Sequence, residues 1–293
     1  MAKIEDLADV VVVGAGASGA AFTWSLAQAG INVVCLEQGG WVPTDAFPTS
    51  DNDAQVHWQT DFHPDPGFRG LPEDYPINED ETPIAPLMYN AVGGSLIHWG
   101  AHFPRFHPSD FKVKTLEGVA DDWPVTYEEL EPYYDENDRM MGVSGLRGDP
   151  AYPEKPERPC PPLSIRASGR LMAKALDKLG WHWWSSDTAI SSVRHHDRDP
   201  DMGNFLRSFA SADLTYWPAA LEFGARLETH ARVREITIDD HGNATGVLYY
   251  QDGELKEQKA KAVVLACNGV GTARLLLNST SSLFPDGLAN SSG

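Results

Sequence analysis

The chain has 293 residues, 42% of them hydrophobic, which is enough material for one large α/β domain or two intertwined subdomains with a sizeable core. Against 23 basic side chains stand 42 acidic ones; the formal charge of -19 repels phosphate backbones and anionic membrane surfaces and excludes nucleic acid as a partner. The three cysteines, Cys35, Cys160 and Cys267, are widely separated and form no CxxC pair, so neither a zinc site nor a disulfide framework is indicated.

The N-terminal MAKIEDLADV lacks a basic-then-apolar leader pattern, and no run of about 18 apolar residues occurs. The expectation is a soluble, cytoplasmic chain without a membrane segment, or one exported to the periplasm alongside a signal-bearing partner. Asp9 to Val13 (DVVVV) is a β-branched run of the kind buried on both faces of a parallel sheet. Gly14-Ala15-Gly16-Ala17-Ser18-Gly19 follows, then a predicted helix from Ala17 to Ala29 that stops at Gly30, and a second strand from Asn32 to Leu36 closed by Glu37.

Strand, glycine turn, helix, strand and acid in this order form a dinucleotide-binding βαβ unit. Gly14 permits the tight turn, Gly16 lets a pyrophosphate lie against the backbone at the helix N-terminus, and Gly19 lets helix and sheet pack closely. Glu37 is placed to accept hydrogen bonds from a ribose. NAD and FAD share an ADP half, so both stay open at this point.

Residues 41–86 are rich in proline, acidic and aromatic residues without a sustained period and read as long loops. VGGSLIHWGA, Val92 to Ala101, sets two glycines before a histidine and a tryptophan; it reads either as a close approach to a ligand or as an internal turn with a core His-Trp pair. Thr126 and Glu129 form a capping-box signature ahead of a helix. A proline-rich connector runs from Pro150 to Pro162, and a helix is predicted from Arg166 to Leu179, ending at Gly180.

Trp181-His182-Trp183-Trp184 reads as buried or interface packing ahead of sugar stacking. His195-His196 with Asp197, Asp199 and Asp201 reads as a solvated loop ahead of a metal site. From Arg232 a β-meander is predicted, with turns at Asp240-His241-Gly242-Asn243 and Asp252-Gly253. It leads into a further buried strand, Ala262 to Ala266, a second glycine turn at Cys267 to Gly271, and an apolar helix through Leu275 to Leu277.

DVVVVGAGASG with LEQGG, VGGSLIHWGA, WPVTYEELEPYYD, SADLTYWPAAL, ARVREI and VVLACNGVGTARLLLNS, in this order, resemble the N-terminal portion of the glucose-methanol-choline (GMC) oxidoreductases, and especially bacterial gluconate and sugar dehydrogenase flavoprotein subunits. The resemblance implies an α/β fold: a Rossmann-like FAD-binding domain with a β-meander, at 1–105 and 214–293, and part of a second, substrate domain at 106–213. It implies FAD held by Gly14, Gly16, Ser18, Gly19 and Glu37, with the backbone of Val233 on the adenine side and Ala266, Asn268 and Gly269 in the second glycine turn. Gly93, Gly94, Ser95, His98, Trp99 and Gly100 are carried over as neighbours of the flavin. LIHW is similar to the THW of pyranose oxidases, whose histidine is bonded to the flavin, so the expectation extends to contact or covalent attachment through His98.

The implied reaction is oxidation of the CH-OH group of a polyol, sugar or aldonate, with hydride passing from carbon to flavin N5 and an electron-acceptor subunit such as a cytochrome as a candidate partner. In the family the reacting base lies in a segment nearer the C-terminus, for which this sequence has no counterpart; the catalytic residues therefore stay unassigned, and a flavin-binding piece without turnover of its own is the alternative reading. The segment before DLTYWPAA contains no cysteine, so no thiolate-held iron-sulfur cluster is expected there.

Overall fold

A computed structural model of the chain describes residues 3–43, 80–84, 88–193 and 209–291. The His195 to Asp201 segment and most of the stretch predicted as long loops lie outside these residues. The chain forms two units, Met1–Trp99 with Ser211–Gly293, and Gly100–Ala210. Among the described residues there are six α-helices: α1 (Ala17–Gln28), α2 (Val113–Glu117), α3 (Tyr127–Met141), α4 (Ala167–Leu179), α5 (Tyr216–Glu222) and α6 (Asn268–Asn278).

The first unit is built on β1 (Lys3–Val13), β2 (Val33–Leu36), β3 (Arg226–Glu228), β4 (Arg232–Ile238), β5 (Ala244–Gln251) and β6 (Glu254–Leu265), in one sheet of order β3-β2-β1-β6-β5-β4. β1 pairs in parallel with β2 and β6, and β2 with β3; β4, β5 and β6 are antiparallel neighbours. All four residues of β2 and Val11 to Val13 of β1 are buried, because helices and the meander cover both faces of the parallel half. Val11, Val34, Leu36, Val233, Val247 and Leu275 belong to one core cluster on the side of α6 and the meander. Each such side chain contributes about 1.5–3 kcal/mol when removed from water.

Two expectations change. β1 begins at Lys3, well before the DVVVV run, since its first residues find partners on β6. Ala262 to Ala266 is not a separate strand: β6 is continuous from Glu254 to Leu265, with β5 pairing along its first half and β1 along both halves. Beyond Lys259 only β1 flanks it, and accordingly Ala262 is exposed and Val263 to Leu265 are half-buried, not enclosed as the β-branched run suggested.

In the second unit the capping box at Thr126 is formed. The Glu129 backbone N–H donates to Thr126 Oγ1 (3.3 Å), and the Thr126 N–H donates to Glu129 Oε2 (2.8 Å). α3 carries Asp138 inward, where it meets Arg105 and Arg158 in a buried ion network. Pro150 to Pro162 forms neither helix nor strand, and α4 stops at Gly180. The WHWW rings are tethered and not buried: Trp183 Nε1 donates to Asp177 Oδ1 (2.7 Å), Trp184 Nε1 to the Leu146 carbonyl (2.9 Å), and Trp181 is 65% exposed. The burial expected of them as one alternative is therefore not made within the described residues. Among those residues no helix is long and apolar enough to cross a membrane, and no cluster of His, Cys, Asp or Glu could hold a metal ion.

Candidate functional site

The first unit carries a cleft of about 760 Å³ at the carboxyl ends of β1 and β6, in the volume range of small-molecule and cofactor sites. Gly14 turns the chain at the end of β1 with φ +99°, and a Cβ there would lie 2.7 Å from the Ala266 carbonyl oxygen. Gly19 is packed harder, since a Cβ would lie 1.8 Å from the Gly14 carbonyl oxygen. Gly16 differs from both: a Cβ there would meet only Gly94 Cα, at 3.9 Å, so its open side faces the cleft.

Gly16 and Ser18 place the N-terminus of α1 on the cleft, and Ala266, Asn268 and Gly269 place the N-terminus of α6 on it as well. Asn268 Oδ1 accepts the Gly271 N–H (3.0 Å) and so caps the first turn of α6. Two helix N-termini facing one space favour an anion there, because the peptide dipoles and the unbonded first-turn N–H groups point the same way.

The VGGS stretch crosses this turn. Gly93, with φ +97°, donates its N–H to the Ala15 carbonyl (3.0 Å), and a Cβ on Gly94 would lie 3.0 Å from Gly16 Cα. Gly94 to Ile97 is a turn of 3-10 helix from which Ser95, Leu96 and Trp99 reach the cleft wall. His98 stands behind that wall, its ring edge-on to Tyr89 with centroids 4.2 Å apart, while Tyr89 itself lines the cleft. Val233 lines the cleft from β4, and Gly100 opens the second unit.

Glu37, at the end of β2, lines the cleft and is 6% exposed. Its Oε2 accepts the Ala15 N–H (2.8 Å) and its Oε1 the Gly39 N–H (2.9 Å). Burial pushes the carboxyl above its ordinary value, and the backbone amides of Ala15, Gly39 and Gln38 offset this only in part. With the folded value raised above the unfolded one, folding takes up a proton, so this contribution to stability is complete below the ordinary glutamate pKa and is lost as pH rises through the raised value. Chemical denaturation at a series of pH values checks this. The wild-type midpoint is expected to fall with rising pH over that window, and Glu37→Gln, which cannot ionise, is expected to flatten the slope.

Gln38, Met88, Tyr89, Asn90 and Arg274 also line the cleft and were not singled out by the sequence. Gln38 Nε2 donates to Asn90 Oδ1 (2.6 Å), and a Cβ on Gly39 would lie 2.0 Å from the Asn90 carbonyl oxygen. Gly39 of LEQGG is thus explained by a backbone crossing, whereas a Cβ on Gly40 would meet the His230 ring at 2.8 Å; the glycine pair was the available signal for a partner segment at MYNA.

The family model described as GMC oxidoreductase matches residues 8–282. Among curated proteins, the 2-methyl-1,2-propanediol dehydrogenase of Mycolicibacterium austroafricanum is 45% identical over 307 residues, covering 100% of this chain and 54% of the relative. The fructose dehydrogenase large subunit of Gluconobacter japonicus is 29% identical over 310 residues, covering 97% of this chain and 56% of the relative. Among solved structures, pyridoxine 4-oxidase from Mesorbium loti superposes with a TM-score of 0.64 at 18% identity, over 93% of this chain and 52% of that one, a likeness of fold. The chain spans about half the length of the curated relatives it matches. With a family match over nearly its whole length, the chain belongs to the GMC oxidoreductase family, which implies FAD as its cofactor.

Proposed function

We propose that this chain is the FAD-binding part of an enzyme that oxidises CH-OH groups of small diol, polyol or sugar substrates. The observation that carries the reading is the cleft itself, where two helix N-termini converge and Gly16, at the start of α1, and Gly269, at the start of α6, both turn an open side to the space. These residues fit a dinucleotide. The Gly16 to Ser18 turn would hold the pyrophosphate, Glu37 the ribose side, the Val233 backbone the adenine side, and Gly93 to Gly100 would adjoin the flavin. Gly14 and Gly19 shape the turn, and Ala266, Asn268 and Gly269 close its other wall.

Bound there, FAD supplies a two-electron acceptor for the hydride leaving the substrate carbon. The chain's own part is to bind, orient and keep water from the ring, and the Leu96 and Trp99 side chains at the cleft wall suit the last task. Residues 106–213 are proposed as part of a substrate domain. One relative is named for a diol and the other for a sugar, which supports the CH-OH class without choosing within it. The latter is named as a large subunit, which supports a further subunit as partner, and an electron acceptor such as a cytochrome is the partner proposed.

His98, which stands against Tyr89 and does not itself line the cleft, is proposed to hold the flavin by contact or by a covalent bond, which requires its ring to reach past that wall. Such a bond replaces one C–H hydrogen of the flavin and one N–H hydrogen of the imidazole, and the two electrons and two protons released pass to an acceptor of the dioxygen class. The test is an absorption spectrum of the purified protein, repeated on acid-precipitated, washed and redissolved pellets of wild type and His98→Ala. A flavin spectrum before precipitation is expected, and its retention by the wild-type pellet alone would establish the bond. A wild-type pellet without flavin overturns the bond, and a protein that stays colourless after FAD addition overturns the FAD reading.

A second reading is favoured by the span of about half of each relative. In it, this segment binds flavin without oxidising a substrate by itself. Turnover with a dye acceptor over a panel of diols and sugars separates the two.

A further inference from the structure

Trp217 lies 202 residues from Ala15 in the sequence, yet its indole Nε1 donates to the Ala15 carbonyl at 2.9 Å. Both residues are fully buried, at 0% exposure. The same carbonyl accepts the Gly93 N–H at 3.0 Å, so both of its lone pairs are engaged. On its other side Ala15 gives its N–H to Glu37. The middle residue of the glycine turn is therefore clamped at both of its backbone polar groups.

The consequence falls on the next amide. In a planar trans peptide the C=O and the following N–H point in opposite directions, so fixing the Ala15 carbonyl on the indole fixes the direction of the Gly16 N–H. Gly16 lines the cleft, and its N–H donates to no protein group among the described residues.

The indole is itself held. The Trp217 backbone N–H donates to the Ala212 carbonyl (2.9 Å), Thr215 Oγ1 donates to the Ser211 carbonyl (2.8 Å), and the adjacent Tyr216 packs edge-on against Trp24 of α1 with ring centroids 5.5 Å apart. A donor fixed in this way costs little further ordering when a ligand arrives.

We propose that Trp217 is a positioning residue for the cofactor: through the Ala15 carbonyl it aims the Gly16 N–H at the pyrophosphate of bound FAD. This rests on the FAD reading above. It also gives the SADLTYWPAAL segment a physical role beside the glycine turn.

The test replaces Trp217 in the full chain in two ways, by Trp217→Phe and by β-(3-benzothienyl)alanine, which exchanges the indole N–H for sulfur at nearly constant volume. FAD affinity is read by quenching of flavin fluorescence, the apo-protein by its unfolding midpoint, and the bound pyrophosphate by its ³¹P resonances. Both variants are expected to bind FAD about tenfold more weakly, the scale of one lost buried hydrogen bond, with shifted ³¹P resonances and a folded apo-protein. If the phenylalanine variant fails to fold, the isosteric one decides.

Wild-type affinity and unshifted ³¹P resonances in a folded variant overturn the proposal, whatever the apo midpoint does. Failure of both variants to fold would make the N–H a folding requirement and also overturn it. A wild-type chain that binds no FAD overturns the parent reading, a result distinct from tight wild-type binding with an indifferent Trp217.

Discussion

Gly19→Ala is expected to destabilise the nucleotide-binding unit by about 3 kcal/mol, whereas Gly16→Ala is expected to leave it folded and weaken FAD binding at least about tenfold. The added Cβ at Gly19 lies 1.8 Å from the Gly14 carbonyl oxygen and 2.9 Å from its carbon, backbone atoms that cannot turn aside. Those atoms are in the turn that Gly14 makes over Ala266, so relief at one contact tightens the next. At Gly16 the backbone is extended (φ -73°, ψ -162°), which any residue adopts, and the nearest atom to a new Cβ is 3.9 Å away. The helix start alone costs about 1 kcal/mol or less for alanine there. What the methyl occupies is the space in which a pyrophosphate would lie. Denaturant unfolding of the apo-proteins beside FAD titration checks both halves. A Gly16→Ala protein that binds FAD like wild type would remove the cofactor from this turn.

Asp138→Ala is expected to destabilise the second unit by about 3–5 kcal/mol, the range for removing one partner from a buried ion pair. Asp138 is 4% exposed; its Oδ2 accepts Arg105 Nη2 (2.6 Å), Arg105 Nε (3.2 Å) and Arg158 Nη1 (2.5 Å). Truncation leaves Arg105 with Asp135 and the Tyr127 hydroxyl, but leaves Arg158, among the described residues, with only the Asp187 carboxylate, 3.6 Å from its Nε. Burial works against the Arg105 charge, and the hydrogen bonds to Asp135 and Asp138 more than offset this, so its pKa stands above the ordinary arginine value. Urea unfolding followed by tryptophan fluorescence measures the loss. Arg147→Ala, which breaks the exposed pairs to Glu154 and Glu157, is expected to change the midpoint immeasurably.

The two cases differ in how much of each was legible in the sequence. The βαβ unit was legible because its signals are local. A β-branched run, three spaced glycines, an apolar helix and an acid at a strand end each state a backbone requirement within forty residues, and the structure meets all of them. The Thr126 capping box and the Gly180 helix stop were legible for the same reason. The arginine-aspartate network was not. Arg105, Asp138 and Arg158 are ordinary charged residues spaced 33 and 20 positions apart, and nothing in composition marks them as buried.

Chain-local physics thus determined the glycine turns, the starts of α1 and α3, the stops of α1 and α4, and which glycine-rich segments must meet a ligand or another backbone, but not the short helices α2 and α5. Tertiary structure decided which of those alternatives holds at each glycine. Gly19 and Gly39 meet backbone, at Gly14 and Asn90, while Gly16 keeps an open side. It also decided that β6 serves the meander and the parallel sheet as one strand, since a strand's two edges are filled by neighbours that its own sequence does not name. Long-range hydrogen bonds such as that from Trp217 to Ala15 belong to the same class. A side chain's residue type states what it can donate, and only the fold brings an acceptor to it.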